Sequence, residues 1–208
     1  MADKTSPRRG FILISPVIDI LRQVVRSLRR AGNRFTHSAR HRRAIARLES
    51  LPRTNSFLFV CHGNICRSPY AAAALRSSLG SSSIDERRAT SAGFVGSGRP
   101  SPSEALDVAA ERGVDLSRHW SQMVSAEIVR GADVILVMNA AQQAALRMRF
   151  RCSDKVLVFG DLDPHSNGSR EILDPINKPV AAFRESYDRI DRCLHTLAEI
   201  IGTHRGRT

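Results

Sequence analysis

Short strand-like segments alternate with helix-like patterns along residues 54–208. The segments with the length and composition of buried strands cover residues 56–60, 88–92, 133–138 and 155–159. The segments with helical spacing or helix-capping residues cover residues 68–79, 101–112, 125–130, 140–150 and 179–201. This alternation predicts an α/β fold, a parallel sheet with helices on both faces, in which ligands bind at the carboxyl ends of the strands.

The first 53 residues follow a different pattern. Ser15 and Pro16 are residue types expected at the start of a helix, and the stretch after them has an apolar face and a basic face until Gly32. The apolar positions are Val17, Ile20, Leu21, Val24, Val25 and Leu28, and the basic positions are Arg22, Arg26, Arg29 and Arg30. We therefore predict that residues 1–53 form a basic amphipathic extension and residues 54–208 a separate globular domain.

The second half of the extension is less defined. Residues 33–53 combine several arginines with a narrow apolar stripe, which fits either a second helix or a solvated basic linker. His37 and His41 have the helical spacing at which two histidines can share a metal ion. Because no further ligands lie near them in the sequence, a solvated helix face is the favoured interpretation.

The distribution of charge suggests what the extension contacts. The formal net charge is +12 at pH 7, yet residues 1–53 hold 13 Lys and Arg against 3 acidic residues, whereas residues 54–208 hold 19 against 17. The extension therefore carries the basicity, which favours contact with an anionic membrane surface or a partner protein, and no nucleic-acid binding is predicted. A proline and an aspartate interrupt its apolar stretch, which argues against a transmembrane span.

Other interpretations of the extension stay open. It could be a helix packed on its own domain, a loosely ordered segment, or a stretch that results from assigning the translation start too far upstream. Arg8 and Arg9 weakly resemble a twin-arginine export signal, but an acidic residue interrupts the apolar region and no cleavage site follows closely.

The four cysteines bear on redox state and on metal binding. Two of them lie in one short loop, while Cys152 and Cys193 are isolated. This spacing fits neither a disulfide framework nor paired metal-ligand motifs, so a reducing cytoplasm, no metal and no cofactor are expected.

The strongest chemical signal is the loop after the first predicted strand, Cys61-His62-Gly63-Asn64-Ile65-Cys66-Arg67-Ser68-Pro69. A loop between a strand end and a helix start turns its backbone N–H groups inward, and the helix N-terminus adds positive charge, so the loop is predicted to bind phosphate. Gly63 allows backbone angles closed to other residues, and Arg67 offers a fork that can hold two phosphate oxygens. The same positive field favours a thiolate at Cys61, which is a nucleophile for phosphoryl transfer.

This loop, with its C-x5-R-S core after an apolar strand, resembles the active-site loop of the low-molecular-weight protein-tyrosine phosphatases. The resemblance spans about residues 55–202 and implies a four-stranded parallel sheet in the order 2-1-3-4. It also implies metal-free hydrolysis of protein phosphotyrosine through a cysteinyl-phosphate on Cys61. In that reaction the phosphate is bound by Arg67 and by the loop residues His62, Gly63, Asn64, Ile65 and Cys66.

The reaction also needs a carboxylic acid near the nucleophile. The family places its general acid in an Asp-Pro pair just before the last helix, which selects Asp174 and leaves Asp163, in a second Asp-Pro pair, as the fallback. The resemblance further implies supporting roles for Asn64 (shape of the loop), Ser68 (hydrogen bond to the Cys61 sulfur) and His119 (contact behind Asn64). A surface position beside Trp120 is the alternative for His119. For Cys66, a protective disulfide with Cys61 and a simple buried packing role are both open.

The chain departs from the family at the walls of the pocket. Ile176 and Asn177 stand where the family usually has tyrosines. The opposite wall, which is commonly aromatic in the family, is formed by either Phe94 or Val95. Losing one aromatic wall predicts weaker phosphotyrosine binding by about 0.5–1.5 kcal/mol. Ile65 favours phosphotyrosine as the substrate, because related phosphoarginine phosphatases tend to have threonine at this position.

Two other functions stay open beside tyrosine dephosphorylation. A thiol-dependent arsenate reductase shares the loop, but usually needs a close cysteine pair elsewhere. A catalytically weak phosphate- or phosphotyrosine-binding module would be consistent with the missing tyrosines. The resemblance implies a phosphotyrosine protein as substrate, such as a bacterial tyrosine kinase, and a cytoplasmic enzyme that is peripheral at the membrane if the extension binds lipid.

Overall fold

The computed structural model describes residues 36–51, 56–79, 89–165 and 168–205. The amphipathic helix predicted after Ser15 and the arginine pair at Arg8 and Arg9 lie outside these ranges. Within them, no helix combines the length and the apolar character that crossing a membrane requires.

The described residues form helices and strands in close agreement with the predicted alternation. In chain order these are α1 (36–49), β1 (Phe57–Cys61), α2 (Arg67–Leu79), β2 (Ala89–Gly93), α3 (Ser103–Ala110), α4 (Ala126–Gly131), β3 (Val134–Val137), α5 (Ala140–Phe150), β4 (Val156–Val158) and α6 (Val180–Arg205), with short 3₁₀ helices at Ser153–Lys155 and Phe159–Leu162.

The four strands form one parallel sheet in the order β2-β1-β3-β4, which confirms the predicted fold class and strand order. The register pairs Cys61 with Gly93 across β1 and β2, and Val60 with Val137 across β1 and β3. The carboxyl ends of β1, β2 and β3 therefore meet at one edge of the sheet, where the loop that begins at Cys61 also lies.

Both faces of the sheet are covered, because successive strand residues point to opposite sides and nearly all of them are apolar. Phe59 and Leu136 belong to a core shared with α1, α2, α3 and α6, whereas Leu58 and Ile135 belong to a second core shared with α4 and α5. The nucleophile candidate Cys61 lies on the side of the first core.

Helix α1 decides between the two interpretations of residues 33–53. Ala44 and Leu48 are buried in the first core, so residues 36–49 form the second helix, docked on the sheet domain, and not a solvated linker. The solvated face expected for His37 and His41 is wrong. His37 is 5 % exposed and its Nε2 lies 2.9 Å from the backbone oxygen of Asp163, while His41 Nδ1 lies 2.8 Å from the oxygen of Asp161.

Candidate active site

Cys61 is the last residue of β1, and a five-residue loop carries the chain from there to the start of α2 at Arg67. The Cys61 sulfur accepts a hydrogen bond from the backbone N–H of Asn64 at 3.2 Å and lies 3.0 Å from the Ser68 hydroxyl oxygen. Its side chain is almost fully buried. The sulfur is therefore held at the carboxyl edge of the sheet, among the donors of the loop and of the first turn of α2.

Asn64 fixes the shape of this loop. Its backbone is in the left-handed region, with φ of 53°, where an asparagine is tolerated better than most residues. The Asn64 amide nitrogen donates to the hydroxyls of Ser68 (2.9 Å) and Ser91 (2.8 Å), and its amide oxygen accepts from the backbone N–H of Gln122 (2.9 Å). One buried side chain thus connects the loop to α2, to β2 and to the segment after α3.

His119 lies behind the loop. Its Nε2 is 2.7 Å from the backbone oxygen of Asn64, so this nitrogen carries the hydrogen, because a carbonyl only accepts. Burial lowers the pKa of His119, and the hydrogen bond to Asn64 opposes that shift only in part. The structure therefore places a neutral His119 against Asn64, and it is Trp120 whose side chain is exposed, at 63 %.

Gly93 makes the close approach between β2 and the loop possible. A Cβ atom on Gly93 would lie 2.8 Å from the backbone nitrogen of Asn64 and 2.9 Å from the backbone oxygen of His62. That oxygen accepts hydrogen bonds from the backbone N–H groups of Phe94 (2.8 Å) and Val95 (3.1 Å). The oxygen of His62 is thereby bonded to the start of the glycine-rich segment.

Arg67 and Asp174 form the charged part of the site. The Arg67 guanidinium is almost fully buried; one terminal nitrogen donates to the backbone oxygen of Ile172 at 2.9 Å, and the other is ion-paired with a carboxylate oxygen of Asp174. The Asp174 side chain is 36 % exposed. The predicted acid and the predicted phosphate ligand are thus brought together from residues 107 positions apart in the chain.

The fallback acid, Asp163, lies elsewhere and has other partners. Its side chain is 1 % exposed and accepts two hydrogen bonds from Arg192 of α6, at 2.9 and 3.0 Å, with Arg189 at 3.1 Å. Burial alone would raise the pKa of Asp163, but the contacts with Arg192, His165 and Arg189 outweigh it and hold the pKa below its usual range. A carboxylate paired in this way is a structural anion and a poor proton donor.

Cys66 packs beneath the loop as a buried thiol. Its backbone oxygen accepts a hydrogen bond from the hydroxyl of Tyr187 at 3.3 Å, and the Tyr187 ring stacks on Tyr70 with centroids 3.8 Å apart. Burial, and to a smaller extent the nearby Cys61, raise the pKa of the Cys66 thiol far above its ordinary value. The four cysteines of the chain are all free thiols.

A cavity of about 380 Å³ opens beside this constellation. It is lined by His62, Arg67, Phe94, Asn139, Ala141, Gln142, Ala145, Glu171 and Asp174. Phe94 therefore supplies an aromatic wall, as one of the two alternatives had it, while Val95 is 40 % exposed and not part of the lining. Ile176 packs against the first core and does not line the cavity.

The start of α5 contributes a wall of the cavity that the sequence did not predict. Asn139 caps this helix through a bond from the Gln142 N–H to its side-chain oxygen at 2.9 Å, and its amide nitrogen lies 3.4 Å from a carboxylate oxygen of Glu171. The available signal was an asparagine at the end of a buried strand and before a helix, which marks a residue at the carboxyl edge of the sheet. Glu171 had no comparable signal.

The one pair of residues with metal-binding spacing, His37 and His41, is not part of a larger ligand cluster among the described residues. Among the described residues, no group of three His, Cys, Asp or Glu side chains is placed to hold a metal ion. The paired histidines of α1 are engaged with backbone oxygens instead.

A cysteine sulfur that accepts a hydrogen bond from a loop N–H group, a buried guanidinium and a carboxylic acid beside one cavity define a class of protein, the cysteine-dependent phosphatases. These enzymes need such parts to form and release a phosphorylated cysteine. The family model described as low molecular weight phosphotyrosine protein phosphatase matches residues 56–206. The chain belongs to this family.

Individual relatives agree with that assignment. The chain is 37 % identical over 139 residues to the probable low molecular weight protein-tyrosine-phosphatase EpsP of Ralstonia nicotianae, a match that covers 66 % of this chain and 89 % of the relative. The crystal structure of the Erwinia amylovora tyrosine phosphatase AmsI superposes with a TM-score of 0.62 at 32 % identity, covering 70 % of this chain and 92 % of that one. The YwlE arginine phosphatase of Geobacillus stearothermophilus superposes with a TM-score of 0.65 at 28 % identity, covering 74 % and 96 %.

Proposed function

We propose that this chain hydrolyses phosphotyrosine in proteins, with Cys61 as nucleophile, Arg67 as phosphate ligand and Asp174 as general acid and base. The observation that carries the proposal is the ion pair of the buried Arg67 with the half-exposed Asp174, at the head of the helix that follows the Cys61 loop. This pairing supports the two proposed roles, because it brings the Arg67 guanidinium and the Asp174 carboxylate into direct contact.

The first step transfers the phosphoryl group to the enzyme. The phosphate oxygens bind to the N–H groups of residues 62–67 and replace the Asp174 carboxylate at the Arg67 guanidinium. The Cys61 sulfur then forms a bond to phosphorus while the bond from phosphorus to the tyrosine oxygen breaks. Asp174, protonated beside the bound phosphate, gives its proton to the leaving oxygen.

The second step returns the enzyme to its starting state. Water attacks the phosphorus of the cysteinyl-phosphate, Asp174 takes a proton from that water, and the bond from sulfur to phosphorus breaks. Phosphate leaves and the thiolate is restored, with hydrogen bonds from the Asn64 N–H and the Ser68 hydroxyl available to stabilise it. The loop donors and Arg67 supply the charge stabilisation in both steps.

The substrate ring is proposed to lie between Phe94 and the alanines of α5. Ala141 and Ala145 line the cavity together with Phe94, which gives two apolar surfaces without the usual tyrosines. Phosphoarginine is the second candidate, because the carboxylates of Glu171 and Asp174 both line the cavity and suit a guanidinium.

The arsenate-reductase alternative has little support. Cys152 packs in the core shared with α4 and α5, whereas Cys193 packs in the core on the other face of the sheet. Two buried thiols on opposite faces cannot pass a disulfide to Cys61 without large rearrangement.

The deciding experiment compares phosphotyrosine, phosphoserine and phosphoarginine peptides of one sequence, without metal, using wild type and Cys61→Ser. We expect phosphate release from phosphotyrosine that the Cys61→Ser variant loses while it still binds the peptide. Faster release from phosphoarginine would replace tyrosine by arginine as substrate. Binding without release by wild type would favour the silent binding module, and release by Cys61→Ser at the wild-type rate would reject the mechanism.

Cys66 is proposed as a redox partner of Cys61. Peroxide would oxidise Cys61 to a sulfenic acid, and the Cys66 thiol would displace water from it to form the disulfide. We expect inactivation by peroxide that dithiothreitol reverses in wild type, with loss of two hydrogen atoms from the peptide mass. In Cys66→Ser no disulfide can form, so further peroxide would oxidise the sulfenic acid of Cys61 to the sulfinic acid, which dithiothreitol does not reduce. Equal recovery of both proteins would reject this role.

The partner and the location follow from the extension and from the family. We propose that a bacterial tyrosine kinase is the phosphorylated substrate and that the basic amphipathic helix predicted after Ser15 attaches the enzyme to an anionic membrane. The support is the charge of residues 1–53 and their predicted amphipathic helix. Sedimentation of the full chain with vesicles tests the second point: we expect recovery in the pellet with anionic lipid only, and recovery in the supernatant with both lipid types would reject it.

A further inference from the structure

Helix α1 lies outside residues 56–206, the range that the family model matches, yet it is joined to the domain by specific polar contacts. Three of its side chains bond to backbone oxygens of the segment between β4 and α6. These bonds join His37 Nε2 to Asp163 O (2.9 Å), Arg40 to Gly168 O (2.8 Å) and His41 Nδ1 to Asp161 O (2.8 Å). Since carbonyl oxygens only accept, the bonded nitrogen of each imidazole carries a hydrogen.

These contacts are anchored in the core. Ala44 and Leu48, one and two turns beyond His41, are buried with the side chains of α2 and α6. His37 itself is 5 % exposed. At the other end of the helix, Arg47 donates to the backbone oxygen of Asp154 at 2.6 Å, just before β4. Helix α1 therefore runs antiparallel to β4, and its first turns lie at the carboxyl edge of the sheet.

The segment that α1 holds is connected to the acid. The carboxylate of Asp161 accepts hydrogen bonds from the Arg170 guanidinium at 2.7, 3.0 and 3.2 Å, and Arg40 approaches the same carboxylate at 3.6 Å. The backbone of Arg170 also packs on Gly160, where an added Cβ would lie 2.3 Å from the Arg170 oxygen. Arg170 is thus fixed against residues that α1 contacts directly.

Four residues after Arg170 the chain reaches Asp174. Between them, the N–H of Ile172 donates to the backbone oxygen of Met138 at 2.9 Å, and the oxygen of Ile172 accepts from Arg67 at 2.9 Å. Arg189 of α6 donates to the backbone oxygens of Ser169 and Glu171, both at 2.5 Å. The segment that precedes Asp174 is therefore held by α6 through Arg189. The start of this segment is held by α1.

We infer that His37 and Arg40 of α1 are positioning residues for the general acid: by fixing the backbone at Asp163 and Gly168, they hold Asp174 in position beside Arg67 and the substrate. This inference rests on the proposed function, in which Asp174 protonates the leaving oxygen. It also gives residues 36–49 a part in catalysis that the matched family range does not contain.

The inference has a distinctive kinetic consequence. A misplaced acid slows cleavage of esters whose leaving group needs a proton and has little effect where the leaving group is already stable as an anion. Phenol, with a pKa of about 10, belongs to the first kind, and 2,4-dinitrophenol to the second. The quantity to compare is kcat/KM, because it reports the steps up to cleavage of the ester bond and is independent of the later hydrolysis of the cysteinyl-phosphate.

The test measures kcat/KM of the full chain for phenyl phosphate and 2,4-dinitrophenyl phosphate. In His37→Leu we expect a fall of about tenfold for the phenyl ester and under about twofold for the dinitrophenyl ester, a small part of the effect of losing a general acid. His37→Gln, whose amide nitrogen can take the place of Nε2, should recover most of the loss. The ratio of the two kcat/KM values in Asp174→Asn gives the upper limit, because this variant loses the general acid entirely.

Arg47→Met is the matched control, since it removes a bond from the same helix to a backbone oxygen that does not lead to the acid. It should leave the ratio of the two kcat/KM values unchanged. Equal losses on both esters in His37→Leu, or no loss, would overturn the inference. If His37→Leu does not fold, the ratio of the two kcat/KM values is measured in Arg40→Met instead, with the same expected change.

Failure of the proposed function would look different. A wild-type chain that cleaves neither ester would reject phosphatase activity itself. A wild-type chain that cleaves both, with an unchanged ratio in Asp174→Asn, would reject the acid and this inference together.

Discussion

His119 donates a hydrogen bond from Nε2 to the backbone oxygen of Asn64 at 2.7 Å, across 55 residues of sequence. Asn64 is also the residue with a left-handed backbone in the loop after Cys61, and its N–H donates to the Cys61 sulfur. The geometry around the Cys61 sulfur therefore depends on a side chain from the segment between α3 and α4.

Substitution of Asn64 separates its backbone role from its side-chain role. Asn64→Ala loses three buried hydrogen bonds and places a Cβ residue at φ 53°, whereas Asn64→Gly loses the same bonds without the backbone strain. We expect Asn64→Gly to lose about 1–3 kcal/mol of stability and Asn64→Ala about 1–2 kcal/mol more. Urea unfolding measures both; an alanine variant as stable as the glycine variant would show that the left-handed backbone costs nothing.

Gly93→Ala tests the close approach of β2 to the loop. The new Cβ would meet backbone atoms of Asn64 and His62, which cannot rotate away, so the loop must shift by several tenths of an ångström. We expect kcat/KM for an aryl phosphate to fall by about 10²-fold, the cost of a small misplacement of reacting groups. Gly131→Ala, in α4 with nothing within 4 Å of its Cβ, is the control and should leave activity unchanged. Full activity of Gly93→Ala would contradict this account.

The residues whose positions the sequence predicted well are those placed by neighbouring elements of the chain. Cys61 and Arg67 are five loop residues apart between a strand and a helix, so the topology alone brings them to one sheet edge. The parallel order β2-β1-β3-β4 likewise follows from alternating strands and helices once the family is recognised.

The residues that the sequence predicted poorly depend on distant partners. His37 has the local pattern of a solvated basic helix, and only its contact with Asp163, 126 residues away, shows that it is buried. Asp163 and Asp174 both precede proline, so the choice of Asp174 comes from the family resemblance and not from its local sequence. Arg192 and Arg189 from α6 neutralise one, and Arg67 from α2 pairs with the other.

Asp174→Asn should affect catalysis and anion binding in opposite directions. Loss of the acid is expected to lower kcat/KM for phenyl phosphate by about 10²–10⁴-fold. The same change removes the carboxylate that occupies Arg67 in the free site, so inorganic phosphate should bind more tightly as a competitive inhibitor. Inhibition constants for phosphate in the two proteins measure the second effect. Weaker phosphate binding by Asp174→Asn would mean that the ion pair supports the site and does not compete for it.

Stability should fall as the pH drops below about 7, because burial lowers the pKa values of both His37 and His119 from 6.5. Each folded histidine then binds fewer protons than its unfolded counterpart. The stabilisation is complete above pH 6.5 and is lost progressively as the pH falls toward the lower pKa of the folded state, by at most about 1.4 kcal/mol per pH unit for each histidine.

His119→Gln isolates this effect at the active site, because glutamine keeps a donor near Nε2 and does not titrate in this range. Burial raises the pKa of Asp191, which changes stability with pH in the opposite sense, so the comparison is made between wild type and variant over pH 5 to 7 by urea unfolding. We expect the variant to be less sensitive to acid, while the contribution of Asp163, whose pKa lies below 3.8, stays outside this window. Parallel curves for the two proteins would show that His119 does not change its protonation on unfolding.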